Sequence, residues 1–293
     1  MAPFRLSKAL AYGKSRLIDS SGTPGLDAEV LLMFVLRRER AYLRTWPERR
    51  LDDDQAEAFC TLIDRRAGGE PIAYLTGQRE FWSRTFHVGP DVLIPRPDTE
   101  LLVDLALTAI PPDRETASLE LGTGSGIIAI TLAAERPQAR ILATDLSLPA
   151  LVTARANASR LGCSNLSFAH GNWFAAVGGQ YRFDLIVSNP PYIAEQDPHL
   201  KQGDLRFEPA MALSSGPEGL DALRQIGEGA RAHLKPGAHL MLEHGYGQAQ
   251  PLGGILDHLG YSDIAHHHDL QGHLRATVAR YDHPPSFDTD ASP

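Results

Sequence analysis

Apolar residues recur at three- and four-residue steps from Lys8 to Asp19, from Asp27 to Arg37 and from Asp53 to Ala67. That spacing predicts amphipathic helices. Gly22-Thr23-Pro24-Gly25 and Gly68-Gly69-Glu70-Pro71 interrupt it. Between about 74 and 95 the period shortens, and Phe81, Phe86, Val88, Val92 and Ile94 around Gly89-Pro90 predict a short β-hairpin. From about residue 98 short β-type runs alternate with helix-compatible stretches, the pattern of a doubly wound α/β sheet. The predicted strands are Ser118 to Leu121, Arg140 to Thr144, Leu166 to His170, Phe183 to Ser188, His239 to Glu243, Asp263 to His267 and Leu274 to Arg280. The protein is therefore expected to divide into a helical domain over 1–74, a hairpin linker over 75–97 and an α/β domain over 98–282. The tail 283–293, rich in Pro, Asp and Ser, is expected to be disordered.

The chemistry concentrates where predicted strands end. Phe183 to Ser188 runs into Asn189-Pro190-Pro191-Tyr192. Proline supplies no N–H and fixes its own φ, so the strand stops and the backbone turns rigidly. The amide oxygen of Asn189 and the Pro190 carbonyl are then free to accept the two hydrogens of a planar –NH2 group, with Pro191 beside them and Tyr192 able to lie on the flat face of that group. This reads as a pocket for an amide or amino nitrogen; an ordinary polar turn is the other reading.

Upstream, Ser118-Leu119-Glu120-Leu121 leads into Gly122-Thr123-Gly124-Ser125-Gly126, and Ile127 to Ala134 continues as a helix. Glycines there permit tight turns and close approach of a ligand to the backbone. The next strand ends in Asp145, placed to accept both hydroxyls of a ribose. The G-x-G-x-G spacing suits a nucleoside without pyrophosphate, such as S-adenosylmethionine; a turn needed only for packing is the alternative. Leu166 to His170 leads into Asn172 and Trp173, an amide and an indole that could meet the edge and face of an adenine, or an ordinary core tryptophan beside a turn.

With these residues assembled, the sequence resembles the protein-(glutamine-N5) methyltransferases that modify peptide chain release factors. The resemblance is carried by Asp27 to Leu32, Arg65-Arg66 with Gly69 to Tyr74, Leu93 to Glu100, the glycine loop, Asp145, Asn172-Trp173-Phe174 and Asn189 to Tyr192. It continues through Arg206-Phe207-Glu208-Pro209, Leu242 to Gly245 and Asp269 to Gly272. It implies a class I, Rossmann-like S-adenosylmethionine-dependent fold, with a seven-stranded sheet closed by an antiparallel hairpin. A small helical N-terminal domain would grip the protein substrate. The implied reaction methylates the glutamine of the Gly-Gly-Gln loop of release factors 1 and 2, leaving S-adenosyl-L-homocysteine. Asn189, Pro190 and Tyr192 are the expected catalytic residues, with Pro191 joining them in binding substrate. Glu120, Gly122, Thr123, Gly124, Ser125, Gly126, Asp145, Asn172, Trp173 and Asn189 are expected to hold S-adenosylmethionine. A sister group that methylates a ribosomal-protein glutamine typically carries Pro-Arg-Ser where this sequence has Pro95-Arg96-Pro97-Asp98-Thr99-Glu100, which favours the release-factor group.

Charge narrows the alternatives. The net charge of −8 opposes a DNA or RNA amino-methylating enzyme, whose phosphate-binding face is normally basic. The clusters Arg37-Arg38-Glu39-Arg40 and Arg49-Arg50 read as solvated helix faces. Cys60 and Cys163 have no metal spacing and imply free thiols in a reducing compartment. His266-His267-His268 alternates across a strand, a poor geometry for one ion, so no metal is expected. No signal-peptide core or membrane-length apolar run is present. A cytoplasmic monomer without membrane or direct nucleic-acid contact is the resulting expectation. Gly178-Gly179-Gln180 reproduces the substrate motif within this sequence and reads as coincidence.

Overall fold

The computed structural model describes residues 4–282; the tail 283–293 lies outside them. Two compact units emerge, one reaching to Gln78 and taking in Lys201–Phe207, the other comprising Arg79–Leu200 and the residues from Glu208 onward.

The first unit is helical: α1 (Leu6–Arg16), α2 (Pro24–Leu36), α3 (Arg40–Thr45), α4 (Asp53–Ala67) and α5 (Ile72–Thr76). Its core joins Leu6, Ala9, Leu17, Ala28, Leu31, Leu32, Phe59 and Ile63. A capping box opens α4: the Gln55 N–H donates to Asp52 Oδ1 at 2.8 Å and the Asp52 N–H to Gln55 Oε1 at 3.2 Å. Asp53 and Asp54 in its first turn and Arg65 and Arg66 in its last complement the helix dipole. Buried Asp27 accepts from the Ser21 and Thr23 hydroxyls and from Arg66 Nε at 2.7 Å. Arg66 also reaches Asp204 Oδ1 at 3.2 Å, and Arg206 donates to the Gly68 carbonyl at 2.9 Å. Those bonds make Lys201–Phe207 part of this unit. The short α3 and α5 have no counterpart in the sequence expectation, because six and five residues are too few to show a period.

The hairpin is real but turns elsewhere than expected. Strands β1 (Gln78–Phe81) and β2 (Arg84–His87) meet through Trp82 and Ser83, both at positive φ, rather than through Gly89-Pro90. Two non-glycine residues in that region are strained, and side chains hold them there. The Trp82 N–H donates to Glu100 Oε1 at 2.8 Å and its indole N–H to Asp104 Oδ1 at 3.2 Å. Val92 and Ile94 are buried outside any strand, and the Ile94 N–H donates to Glu208 Oε2 at 2.9 Å.

From Glu100 helices and strands alternate: α6 (Glu100–Ala109), β3 (Ala117–Leu121), α7 (Ile127–Glu135), β4 (Arg140–Asp145), α8 (Leu148–Arg160), β5 (Leu166–His170) and β6 (Phe183–Ser188). The series ends with α9 (Asp221–Ala230), β7 (Leu234–Glu243), α10 (Ala249–His258), β8 (Ser262–His268) and β9 (Leu274–Tyr281). The sheet order is β5-β4-β3-β6-β7-β9-β8, parallel from β5 through β7, with β9 antiparallel to both neighbours. This is the seven-stranded sheet and antiparallel closing hairpin that the resemblance implies. β7 begins earlier than the expected His239, because Leu234 pairs with Phe183 before an irregularity restores register at Leu185 and His239.

Side chains alternate across the strands. Met241 of β7 packs with α6, α7 and α8, whereas Leu240 and Leu242 pack with α9 and α10. Helices thus cover both faces, which explains the almost continuously apolar β6. After β3 the backbone builds β4 and β5 to one side, then returns to place β6 on the other. Such a reversal opens a crevice beyond the carboxyl ends of the strands, the usual ligand site of this architecture. No helix among the described residues is long and apolar enough to cross a membrane.

Candidate active site

Beyond those strand ends lies a cavity with about 970 Å³ of empty space, mouth included, the size of a small-molecule site. Its floor is the loop from β3 to α7. Gly124 and Gly126 have φ of 56° and 88°. A Cβ on Gly126 would come within 2.7 Å of Ile130 Cδ1, so the first turn of α7 closes tightly only over glycine. The Thr123 N–H donates to the Thr144 carbonyl at 2.9 Å, tying the loop to β4. Glu120, 1% exposed, accepts from Thr123 Oγ1 at 2.5 Å and from the Ala129 N–H at 3.0 Å. Burial pushes its carboxyl up to about 8 despite those two bonds, with the Asp145 charge adding to the rise.

Asp145 ends β4 with its carboxylate already fixed. Oδ2 accepts from the Gly124 N–H and Oδ1 from the Ser147 N–H, each at 2.8 Å. A carboxylate has about four lone-pair sites, so both oxygens retain capacity for hydroxyl donors. Asn172 is exposed at the rim. Trp173 has φ 45°, and its Cζ3 stands 3.5 Å from the Cβ position of Gly122, which sets the indole against the glycine loop.

Asn189 continues β6, whose last residue is pinned to β3 by Ser188 Oγ donating to the Leu121 carbonyl at 2.7 Å. The Asn189 Nδ2–H donates to Thr99 Oγ1 at 3.1 Å. An amide whose nitrogen is committed in this way has its oxygen left for another donor. Thr99 is fully buried and stands against the Glu243 carboxylate, to which the Tyr192 hydroxyl donates at 3.1 Å. Burial raises the Glu243 carboxyl to about 7; the Thr99 and Tyr192 hydroxyls and Arg275 oppose the rise, and Asp98 adds to it. Burial likewise pushes the Tyr192 phenol upward. On the opposite wall Glu208 pairs with Arg96 and accepts from the Ile94 N–H, setting Pro95 and Arg96 against Pro209 and Met211.

Known proteins share this architecture. Residues 8–77 match the family model described as PrmC N-terminal domain, and 98–212 match the one described as Methyltransferase small domain. Proteins named release factor glutamine methyltransferase align along nearly the whole sequence. That of Shewanella oneidensis is 44% identical, covering 94% of this protein and 96% of its own length. That of Xylella fastidiosa is 49% identical, covering 87% and 92%, and that of Escherichia coli 44%, covering 90% and 95%. The protein belongs to the release factor glutamine methyltransferases. It is accordingly an S-adenosylmethionine-dependent methyltransferase. Among solved structures, a methyltransferase from Pyrococcus furiosus superposes with a TM-score of 0.53 at 18% identity, covering 75% of this protein and 99% of its own length. At that identity the likeness concerns the fold.

Within this family member the cavity gathers most of the residues singled out from sequence. Glu120, Gly122, Thr123, Gly124, Ser125, Asp145, Asn172, Trp173, Asn189 and Pro191 all line it. Three do not. Gly126 is buried beneath the loop, where it starts α7. Pro190 is buried behind Asn189 and Pro191. Tyr192 turns its hydroxyl to Glu243 and packs beside the α9–α10 core. Thr99 and Glu243 are the residues that motif reasoning left without a role. A signal for Glu243 existed: like Asp145, it is a carboxylate ending an apolar strand. Gln180 lies before the amino end of β6, the opposite end from Asn189. Among the described residues no cluster of three or more metal-ligating side chains occurs.

Proposed function

We propose that this enzyme methylates the side-chain nitrogen of the glutamine in the Gly-Gly-Gln loop of peptide chain release factors 1 and 2, working as a cytoplasmic monomer. The names of its relatives support the release-factor assignment. The observation that carries the chemistry is the orientation of Asn189, whose nitrogen is taken by Thr99 so that its oxygen is left to accept from a substrate amide. A second acceptor, the Pro190 carbonyl, would take the other amide hydrogen. The helical first unit would supply recognition of the protein substrate.

The glycine loop fits S-adenosylmethionine: a close backbone cradle, the Asp145 carboxylate for ribose hydroxyls, and Trp173 with Asn172 for adenine. Glu120 and Thr123 shape the end of the cavity where the sulfonium would sit. When bound, S-adenosylmethionine supplies an electrophilic methyl on a positively charged sulfur and leaves as S-adenosyl-L-homocysteine. An amide nitrogen is a weak nucleophile, because its lone pair is delocalised into the carbonyl. Accepting both N–H bonds orients that nitrogen and increases its electron density. Positioning of this kind can lower a barrier by up to about 7–11 kcal/mol. Tyr192 and the two prolines keep the turn rigid and dry, and the proton lost after transfer passes to water.

The test incubates the enzyme and methyl-labelled S-adenosylmethionine with purified release factor, ribosomal protein and DNA in parallel. Label on the release-factor Gly-Gly-Gln glutamine is expected. Label confined to ribosomal protein or to DNA overturns the reading.

A further inference from the structure

Asn189 needs more than a partner for its nitrogen. A carboxamide can flip, and a flip would present two donors to a substrate –NH2 group that is itself a donor. Thr99 Oγ1 prevents the flip only if its own proton is directed elsewhere, so that the hydroxyl can accept but not donate toward Asn189. The group beside it that can take that proton is Glu243.

Several facts converge on this carboxylate. Glu243 is 2% exposed and ends β7, the strand paired to β6 through Ser188 and Leu242, so it sits one step beyond that pair, level with Asn189. Its Oε1 accepts from the Tyr192 hydroxyl at 3.1 Å, while the buried Oε2 meets no donor at hydrogen-bond geometry among the described residues and so remains open to a nearby hydroxyl. The Thr99 hydroxyl stands against the same carboxylate. Glu243 does not line the cavity, so it meets neither substrate directly. An open acceptor on a buried carboxylate is costly unless a neighbouring hydroxyl turns to it, and packing alone would have been served by an apolar side chain of similar volume.

We propose that Glu243 is a positioning residue for methyl transfer. By accepting from Thr99 and Tyr192 together, it commits the Thr99 hydroxyl as an acceptor and locks the Asn189 carboxamide with Oδ1 toward the substrate nitrogen. The same carboxylate fixes the aromatic ring three residues further on, so one buried group sets both ends of Asn189-Pro190-Pro191-Tyr192. The inference rests on Asn189 being the residue that takes the substrate amide.

The experiment measures kcat on purified release factor, KM, S-adenosylmethionine affinity by calorimetry and melting temperature for Glu243→Ala, Glu243→Gln, Thr99→Val and the double variant Thr99→Val/Glu243→Gln. Loss of a partner that orients a metal ligand costs about ten- to a hundred-fold in activity, and an orienting partner behind Asn189 is expected to matter on the same scale. Glu243→Ala is expected to lower kcat by that factor with cofactor affinity within about twofold. Glu243→Gln, which keeps one acceptor, is expected to lose less. Thr99→Val and Glu243→Gln are expected to act through the same bond, so the double variant turns over no more slowly than the slower single one. Losses that multiply in the double variant, or an unchanged kcat in folded Glu243→Ala, overturn the proposal. If Glu243→Ala does not fold, Glu243→Gln and Thr99→Val decide alone. Asn189→Ala separates the two claims: retained turnover there defeats the Asn189 reading, whereas a dead Asn189→Ala beside a normal Glu243→Ala defeats only the role of Glu243.

Discussion

Asn189 and Asp145 occupy equivalent places at the ends of parallel strands, yet their variants should fail in different ways. If the carboxamide serves the protein substrate as proposed, Asn189→Ala is expected to abolish turnover while calorimetry finds S-adenosylmethionine affinity little changed. Asp145→Ala should weaken cofactor binding by roughly ten- to a hundred-fold, since hydrogen bonds to a charged acceptor contribute about 1.5–3 kcal/mol each. Glu243 adds a pH signature. Its carboxyl is raised to about 7 by burial, with Tyr192, Asp98, Arg275 and neighbouring His244 the titratable and charged groups about it. Only the ionised form accepts from both hydroxyls, so kcat should fall as pH drops through about 7 in the native enzyme and stay flatter in Glu243→Gln. Stability runs the other way. The folded carboxyl holds its proton to higher pH than an ordinary glutamate, which titrates at 4.5, so its contribution is complete below about 4.5 and is lost as pH rises through about 7. The native melting temperature should therefore decline between about pH 5 and 8 more than that of Glu243→Gln.

At the scale of elements, the glycine loop and the α4 cap give opposite kinds of test. Gly126→Ala forces a Cβ toward Ile130 at a φ of 88°, and strain of that sort costs about 1–3 kcal/mol. It should lower the melting temperature and loosen cofactor binding together. Asp52→Ala breaks the capping box and should cost about 1 kcal/mol, seen in denaturant melts with kcat unaffected. The strands were legible because buried parallel strands read as unbroken apolar runs: Phe183 to Ser188 and Arg140 to Thr144 left little choice. The α3 helix was not, because Arg40–Thr45 shows no period at that length. The hairpin misled for a different reason. Gly89-Pro90 is strong local turn chemistry, but Glu100 and Asp104, distant in sequence, hold the turn at Trp82-Ser83 instead. Tertiary contacts of that kind leave no trace in a short window.

Over the whole molecule, the same distinction governs the site. Glycines, Asp145 and Asn189 announce themselves because each stops a strand and the fold gathers strand ends. Glu243 comes from another strand end and Thr99 from the turn before α6, and they become neighbours of Asn189 only once the register of β6 and β7 and the Asn189–Thr99 bond are known. The helical unit has its own long-range dependence. Arg66→Ala would leave Asp27 buried without its cation, and breaking such a pair costs about 3–5 kcal/mol. Circular dichroism melts should show that loss, and Arg66→Lys should recover only part of it, because one ammonium cannot reproduce the fork to Asp27 and Asp204.

That fork also sets a clock for the nascent polypeptide. Asp204 follows Arg66 by 138 positions, and a ribosome adding about 5–20 residues each second needs on the order of ten seconds to make them. By the start of that interval α1 to α4 have been made, whereas the segment that supplies Asp204 and Arg206 comes only at its end. The Arg66–Asp204 and Arg206–Gly68 bonds of the amino-terminal unit therefore form only after β3 to β6 have been synthesised.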